Sequence, residues 1–283
     1  MARSFGLLIV VALLTGLMAC LPRAEQASRQ PSEDIRHETA RHKTTNTIER
    51  TSAPTLTGER TTGQDTTAVT EALVSWDYVA LGDSLAVGVG AHRGYVARYA
   101  AYITADTGAQ IDLVILGRNG QTSSQLLHAL RNNLTIRQAL GTAEVITFNI
   151  GINDLGHAGE AYENGACGEG DNQECLGAAV EIFKENWDAI IAELLSLRST
   201  ENTIIRTAGL GYTPRVDRIF EPYVGEVSRH IATTATGHDM PYAQPHLHAG
   251  YMSSDGVHPN DGGYKVIAER LRELGYSPLS SPR

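Results

Sequence analysis

Apolar runs of strand length alternate with amphipathic helical patterns along most of this chain. Five short apolar runs are each followed by a segment whose apolar residues recur at spacings of three and four. This alternation predicts parallel strands joined by right-handed helical crossovers, with helices on both faces of the sheet. The sequence therefore predicts an α/β fold, namely a three-layer α/β/α sandwich with a central parallel sheet of about five strands.

The predicted elements follow directly from these patterns. The strands are expected at residues 78–81, 111–116, 145–150, 203–208 and, weakly, 240–243. The helices are expected at residues 95–107, 123–132, 179–198, 219–236 and 264–274. The third helix is the clearest, because its apolar stripe from Val180 to Leu197 is typical of a helix that packs against a sheet.

Polar segments follow the first three predicted strands at the points where the strands end. They are residues 82–84, 117–120 and 151–154. The carboxyl ends of parallel strands meet at one edge of a sheet, where ligands bind. Residues 255–258, just before the last predicted helix, can reach the same edge. Four distant segments therefore predict one shared site.

These segments contain the three groups of an activated nucleophile. A serine hydroxyl is a weak nucleophile at neutral pH and needs a base within hydrogen-bond reach. Ser84 is the candidate nucleophile and His258 the candidate base, since histidine serves this role near neutral pH. Asp255 would accept a hydrogen bond from the other ring nitrogen and fix the tautomer.

The same segments resemble the four sequence blocks of the GDSL esterases, also called SGNH hydrolases. Residues 82–85 read Gly-Asp-Ser-Leu, which is similar to the first block and matches Ser84 to its nucleophile. Gly120 matches the glycine of the second block and Asn153 the asparagine of the third. Asp255 and His258 match the final Asp-x-x-His block. The resemblance covers residue 76 to about residue 275 and implies a flavodoxin-like fold.

The resemblance also implies an oxyanion hole and a range of substrates. The backbone N–H groups of Ser84 and Gly120 and the side-chain amide of Asn153 would receive the negative oxygen. The implied substrates run from short acyl esters and lysophospholipids to acetylated carbohydrates, with no cofactor or metal. Arg118 and Asn119 stand where the family more often has small residues, which leaves the substrate preference open. A loop at residues 155–177 is expected to wall the pocket and to set this preference.

Other functions stay open beside this one. An ordinary α/β-hydrolase expects Gly-x-Ser-x-Gly, whereas Ser84 is followed by Leu85 and Ala86. His246 and His248, crowded near the Asp-x-x-His block, could serve a metal-dependent hydrolase. A catalytically inactive lipoprotein that binds a glycan or lipid is the third alternative.

The first 72 residues differ in composition from the rest. Residues 1–19 read as a signal peptide, and residues 17–20 look like a bacterial lipobox in which Cys20 is lipidated. Plain secretion and an uncleaved anchor are the alternatives. Residues 20–72 have too little aliphatic clustering to form a core and are predicted to be a disordered tether, with the folded domain at 73–283. We expect an exported protein attached to a membrane by its lipid, or otherwise secreted or periplasmic.

Charge and cysteine placement refine this expectation. Residues 71–283 contain 15 Lys and Arg against 25 Asp and Glu, so the domain carries a net charge of −10. An acidic domain without a basic cluster argues against nucleic acid as a partner. Cys167 and Cys175 lie in a glycine-rich segment, and export favours a disulfide between them. Half of a zinc site is the alternative, which needs two further ligands nearby.

Overall fold

The computed structural model describes residues 74–210 and 218–279. Five strands form one fully parallel sheet in the order β2-β1-β3-β4-β5. The strands are β1 (Ser75–Gly82), β2 (Gln110–Ile115), β3 (Val145–Asn149), β4 (Ile204–Ala208) and β5 (Tyr242–Ala243). Helices cover both faces of this sheet, which confirms the predicted three-layer sandwich.

Eight α-helices are present in the described part of the chain. They are α1 (Ser84–Val87), α2 (Tyr95–Thr107), α3 (Ser123–Asn132), α4 (Leu134–Thr142), α5 (Ile152–Glu163), α6 (Glu174–Leu197), α7 (Glu221–Gly237) and α8 (Asp261–Glu273). Two short 3₁₀ helices cover Arg218–Phe220 and Ala249–Tyr251. None of the helices in residues 74–210 and 218–279 is long and apolar enough to cross a bilayer.

Two apolar layers hold the helices to the sheet. On one face α3, α4, α6 and α7 pack around Trp187, whose ring stacks on Phe148 of β3 at 5.1 Å and on Phe183 at 5.7 Å. On the other face α2 and α8 pack against Tyr78 and its neighbours. Every residue of β3 and β4 is buried, since helices cover both faces. This explains why each of these strands begins with two adjacent apolar residues rather than with an apolar and a polar one.

The structure corrects several predicted boundaries. The helices predicted at 95–107 and 123–132 are confirmed as α2 and α3, whereas α6 begins five residues earlier than the predicted 179. The sequence did not predict α1, α4 or α5. The expected loop at 155–177 is wrong over much of its length, because α5 continues to Glu163 and α6 starts at Glu174. Two glycines within α5, each unfavourable by about 1 kcal/mol relative to alanine, hid this helix from a propensity argument.

The segment between α5 and α6 is closed by a disulfide. Cys167 and Cys175 are bonded, with their Cα atoms 4.8 Å apart, which confirms the predicted pair over the zinc alternative. Cys167 is buried in a small cluster with Ala158 of α5 and Leu176 of α6. The disulfide therefore ties the end of α5 to the start of α6. The predicted signal peptide and tether, including Cys20, lie outside the described residues.

Candidate active site

Ser84 stands at the first position of α1, directly after β1. Gly82 ends β1 with a φ of +126°, and a Cβ there would lie 2.2 Å from the backbone oxygen of Asn149 on β3. Only glycine permits this approach. Asp83 then caps α1 by accepting a hydrogen bond of 2.9 Å from the backbone N–H of Leu85. This tight turn holds the Ser84 hydroxyl at the rim of the sheet.

The structure brings together the serine, the histidine and the aspartate. The Oγ atom of Ser84 lies 2.9 Å from Nε2 of His258, although the two residues are 174 positions apart. The Nδ1 atom of the same ring lies 2.8 Å from Oδ2 of Asp255. Because an ionised carboxylate only accepts hydrogen bonds, Nδ1 carries the proton and Nε2 is the acceptor. An imidazole in this tautomer can take the proton of the serine hydroxyl.

The carboxylate of Asp255 is held by donors from its own turn. Its Oδ1 accepts from the backbone N–H groups of Val257 at 2.8 Å and His258 at 2.9 Å, and from the hydroxyl of Ser253 at 2.7 Å. Desolvation pushes the pKa of Asp255 upward, but these hydrogen bonds and the one from the His258 ring outweigh it and hold the pKa well below its usual range. Asp255 is therefore an ionised acceptor with a fixed orientation.

Gly120 and Asn153 face the same cavity as Ser84 and His258. Gly120 has a φ of +69°, in the left-handed region that favours glycine. Asn153 donates a hydrogen bond of 2.9 Å from Nδ2 to the backbone oxygen of Gln121, which fixes its amide beside the second segment. The amide nitrogen carries a second N–H. Gly120, Asn153 and Ser84 therefore line one end of the same cavity.

Asp154, next to Asn153, has a structural role. Asp154 accepts from the backbone N–H of Ser123 at 3.0 Å and from its hydroxyl at 2.5 Å. Burial raises the pKa of Asp154, while these hydrogen bonds oppose the rise. Asp154 therefore ties the start of α5 to the start of α3, and this fixes the position of Asn153 beside it.

A buried polar network that the sequence did not reveal lies next to the nucleophile. Asp83 accepts a second hydrogen bond of 2.9 Å from Nδ2 of Asn149, and Oδ1 of Asn149 accepts one of 2.8 Å from the hydroxyl of Tyr95. Burial raises the pKa of Asp83 to about 6. No described residue bonds its Oδ2. This network had only a weak signal in the sequence. In the sheet Asn149 lies opposite Gly82, and a buried asparagine at that position needs a hydrogen-bond partner.

A second glycine determines how closely the histidine can approach. Gly90 has a φ of +92°, and a Cβ there would lie 2.9 Å from Cβ of His258. The hydroxyl of Tyr264 donates a hydrogen bond of 2.7 Å to the backbone oxygen of Val89 next to it. The chain after α1 is therefore packed closely against the segment that carries His258.

The site opens into a cavity of about 550 Å³. This volume is within the usual range of small-molecule sites, roughly 300–1,000 Å³. The catalytic end carries the polar groups described above. The remaining wall is largely apolar and includes Leu155, Gly156, Gly159, Leu210, Phe220 and Val224.

The histidines considered as metal ligands are placed differently. Nδ1 of His248 accepts a hydrogen bond of 3.1 Å from the backbone N–H of Gly250, and its ring centre lies 4.1 Å from that of Tyr251. Neither His246 nor His248 lines the cavity. Within the described ranges, no group of three or more His, Cys, Asp or Glu residues is arranged to hold a metal ion.

A comparison with protein families decides the relationship of this chain. The sequence model of the GDSL-like Lipase/Acylhydrolase family matches residues 80–266, which include Ser84, Gly120, Asn153, Asp255 and His258. The chain belongs to the GDSL-like lipase/acylhydrolase family. This GDSL hydrolase is therefore a carboxylic ester hydrolase of the serine type, as the sequence predicted.

This GDSL hydrolase is similar to two lipases and, in fold, to an acetylxylan esterase. Spore germination lipase LipC of Bacillus licheniformis is 29% identical over 213 residues, covering 71% of this chain and 97% of its own. The lipase Lip_vut3 from a goat rumen metagenome has a TM-score of 0.66 and 25% identity, covering 72% of this chain and 100% of its own. Axe2, an acetylxylan esterase from Geobacillus stearothermophilus, has a TM-score of 0.54 and 17% identity, covering 74% and 99% respectively. This last similarity concerns the fold alone.

Proposed function

We propose that this GDSL hydrolase cleaves carboxylic esters through an acyl-serine intermediate on Ser84. The observation that carries the proposal is the continuous chain of hydrogen bonds from Ser84 through His258 to Asp255, at 2.9 Å and 2.8 Å. In this arrangement the nucleophile, the base and the group that orients the base stand in the order that nucleophilic catalysis requires.

Acylation begins when Oγ of Ser84 attacks the carbonyl carbon of the ester. Nε2 of His258 takes the hydroxyl proton as the new C–O bond forms, and the carbonyl π electrons move onto its oxygen. The tetrahedral intermediate then collapses, the bond to the leaving oxygen breaks, and His258 returns the proton to that oxygen. The alcohol leaves, and the acyl group remains on Ser84.

Deacylation repeats these steps with water as the nucleophile. His258 takes a proton from water as the water oxygen attacks the acyl carbon. Collapse of the second tetrahedral intermediate breaks the bond to Oγ of Ser84, which recovers its proton from His258. The carboxylic acid leaves, and the enzyme returns to its starting state.

The negative oxygen of both intermediates is received by donors from three segments. They are the backbone N–H groups of Ser84 and Gly120 and the amide of Asn153. The turn after β1, the left-handed glycine and the hydrogen bond to Gln121 support this assignment. One donor of this kind typically contributes about 10²–10³ in turnover. Asp255 stabilises the imidazolium that forms on His258 at each proton transfer.

Substitution of the nucleophile tests this mechanism. We expect Ser84→Ala to lower kcat on p-nitrophenyl butyrate by at least about 10⁴-fold. Ser196→Ala, which alters an exposed serine on α6, should leave kcat unchanged. Hydrolysis by Ser84→Ala at the wild-type rate would contradict the acyl-serine mechanism. Lack of hydrolysis by the wild type on every acyl and acetyl ester would favour the inactive binding protein instead.

We also propose that the enzyme is exported and anchored to a membrane by a lipid on Cys20. The support is the apolar stretch that ends at residues 17–20 in the sequence, and the Cys167–Cys175 disulfide, which suits an oxidising compartment. We expect the full chain, expressed in a bacterium, to incorporate an alkyne-labelled fatty acid and to enter the detergent phase. Cys20→Ser should abolish both properties. Equal labelling of the two proteins would contradict the anchor.

A further inference from the structure

One face of α5 runs along the cavity from the catalytic end outward. The residues of α5 that line the cavity recur at helical spacings and are Ile152, Asn153, Leu155, Gly156, Gly159, Glu160 and Glu163. Positions three and four apart lie on the same face of a helix. This face begins at Asn153, the proposed oxyanion donor, and ends at the exposed carboxylates of Glu160 and Glu163.

Two positions in the middle of this face, Gly156 and Gly159, have no side chain. A Cβ placed on Gly156 would meet no described atom within 4 Å, so the described part of the chain leaves the space in front of this residue open. A Cβ on Gly159 would lie 3.2 Å from Cε1 of Phe220 and 3.3 Å from its Cζ. The Phe220 ring therefore packs directly against Gly159, and the open part of the cavity in front of Gly156, called the slot below, lies beside this contact.

The opposite wall of this slot is apolar and well supported. It is formed by Phe220, Val224 of α7 and Leu210 after β4. The Phe220 ring meets that of Tyr162 edge-on at a centroid distance of 5.7 Å and packs against the cluster that contains Cys167. The disulfide and the aromatic pair thus brace the wall. The three described side chains that form this wall carry no hydrogen-bonding group.

The proposed chemistry determines which part of an ester occupies the slot. His258 must protonate the leaving oxygen, so the alcohol portion lies on the His258 side of the tetrahedral centre. The oxygen that becomes negative faces Gly120 and Asn153. The remaining substituent is the acyl chain, which then leads away from His258 along α5.

The length of the slot follows from the helix. With a rise of about 1.5 Å per residue, Glu160 lies roughly 10 Å beyond Asn153 along α5. An extended backbone advances about 3.5 Å for every three bonds, so this distance accommodates roughly eight carbons. The two glutamates mark the end of the apolar wall.

We infer that this slot binds the acyl chain and makes esters of medium-chain fatty acids, of about eight carbons, better substrates than acetyl esters. The inference rests on the proposed acyl-serine at Ser84. An acetyl group would leave the apolar slot unfilled. Each additional buried methylene is expected to raise kcat/KM by up to about fourfold.

A series of p-nitrophenyl esters tests the inference. We expect wild-type kcat/KM to rise at least tenfold from acetate to octanoate. Gly156→Leu places a side chain in the open slot, so it should lower kcat/KM on octanoate at least tenfold and change the value on acetate less than twofold. Gly141→Leu on α4 is the matched control, because a Cβ there also meets no described atom within 4 Å and the residue is not among those that line the cavity. It should preserve both values.

The outcomes separate this inference from the mechanism on which it rests. A wild-type enzyme with a higher kcat/KM on acetate than on octanoate would contradict the slot. A Gly156→Leu protein with a wild-type circular dichroism spectrum and equal losses of kcat/KM on both esters would also contradict it. If Gly156→Leu fails to fold, Gly156→Ala and the wild-type series still decide the matter. Acetate hydrolysis that Ser84→Ala abolishes would leave the acyl-serine mechanism intact while the slot fails. Hydrolysis that survives Ser84→Ala would refute the mechanism itself.

Discussion

The two ends of the cavity are built in opposite ways. At the catalytic end, hydrogen bonds fix each group: Asp255 accepts four of them, and His258 is held between Asp255 and Ser84. Along α5 the wall is shaped by glycines and by apolar contacts with Phe220. Directional bonds can position reacting atoms to within a fraction of an ångström, whereas apolar surface selects by size and shape. Reactivity and chain-length selection should therefore respond to different substitutions.

The largest expected effect comes from the base at the catalytic end. We expect His258→Ala to lower kcat by about 10⁴-fold or more, because among the described residues His258 is the base that hydrogen-bonds the Ser84 hydroxyl. Asp255→Asn should approach the same loss, since an amide can hold the ring in the wrong tautomer. The ratio of octanoate to acetate hydrolysis should stay at the wild-type value in any residual activity. Steady-state kinetics on both esters provides the measurement. A change in that ratio would show that the catalytic end also influences chain-length selection.

The next effect concerns the oxyanion. Asn153→Ala removes one donor and should lower kcat about 10²–10³-fold with little change in KM. Asn119→Ala is a suitable control, because Asn119 lines the same cavity but is not assigned to the oxyanion. It should lower kcat less than tenfold. A purely structural role for Asn153 would instead appear as a raised KM together with a lowered melting temperature.

Loss of the disulfide should have a smaller effect, which changes the chain-length preference but not the catalytic rate on acetate. Replacing both Cys167 and Cys175 by alanine opens a short loop, and the chain-entropy estimate for such a loop is about 2–3 kcal/mol of stability. Because the disulfide cluster supports Phe220, we expect the octanoate preference to fall severalfold. The kcat on acetate should remain within twofold of wild type. Urea unfolding and the two-ester assay measure these effects, and a parallel loss on both esters would show that the disulfide supports the catalytic end as well.

The smallest effect concerns the buried carboxyl beside the nucleophile. Burial raises the pKa of Asp83 to about 6, compared with about 3.9 in an unfolded chain. The folded state therefore binds the proton more tightly, and this contribution to stability is complete below pH ~4 and lost as the pH rises through ~6. Asp83→Asn removes the ionisable carboxyl and therefore removes this loss of stability at neutral pH. We expect it to raise the free energy of unfolding by about 1–3 kcal/mol at pH 7.5, and by about a third of that amount at pH 4.5.

Urea unfolding at the two pH values measures this difference. Because the Asp83 carboxylate also interacts favourably with a charged His258, the variant should lose a few-fold in kcat while it gains stability. A variant that is less stable than wild type at pH 7.5 would show that the charge is compensated in the folded protein.

The sequence indicates the catalytic end far more directly than the slot. Ser84, Asn153 and His258 each follow or precede a strong strand or helix pattern, and the polar residue type itself indicates the chemistry. The slot depends on the absence of side chains at Gly156 and Gly159, and glycines in a weak helical pattern predict a loop. The contact between Gly159 and Phe220 joins positions 61 apart, which no local pattern reveals.

Other parts of the fold were hidden for similar reasons. The helix α4 has only nine residues, and its start at Asn133 depends on a capping hydrogen bond rather than on a long apolar stripe. Asn149 and Tyr95 carry no motif, and their pairing follows from strand register and burial. Tertiary contacts of this kind need the folded backbone before they can be inferred.

The most direct test of the account is to trap the acyl group on the enzyme. Wild-type protein mixed with p-nitrophenyl octanoate and quenched in acid within milliseconds should show, by mass spectrometry, one octanoyl group on the proteolytic peptide that contains Ser84. Asn153→Ala should accumulate the same adduct more slowly, and Ser84→Ala should accumulate none. Turnover without any adduct on that peptide across the time course, or an adduct on another residue, would contradict the role assigned to Ser84.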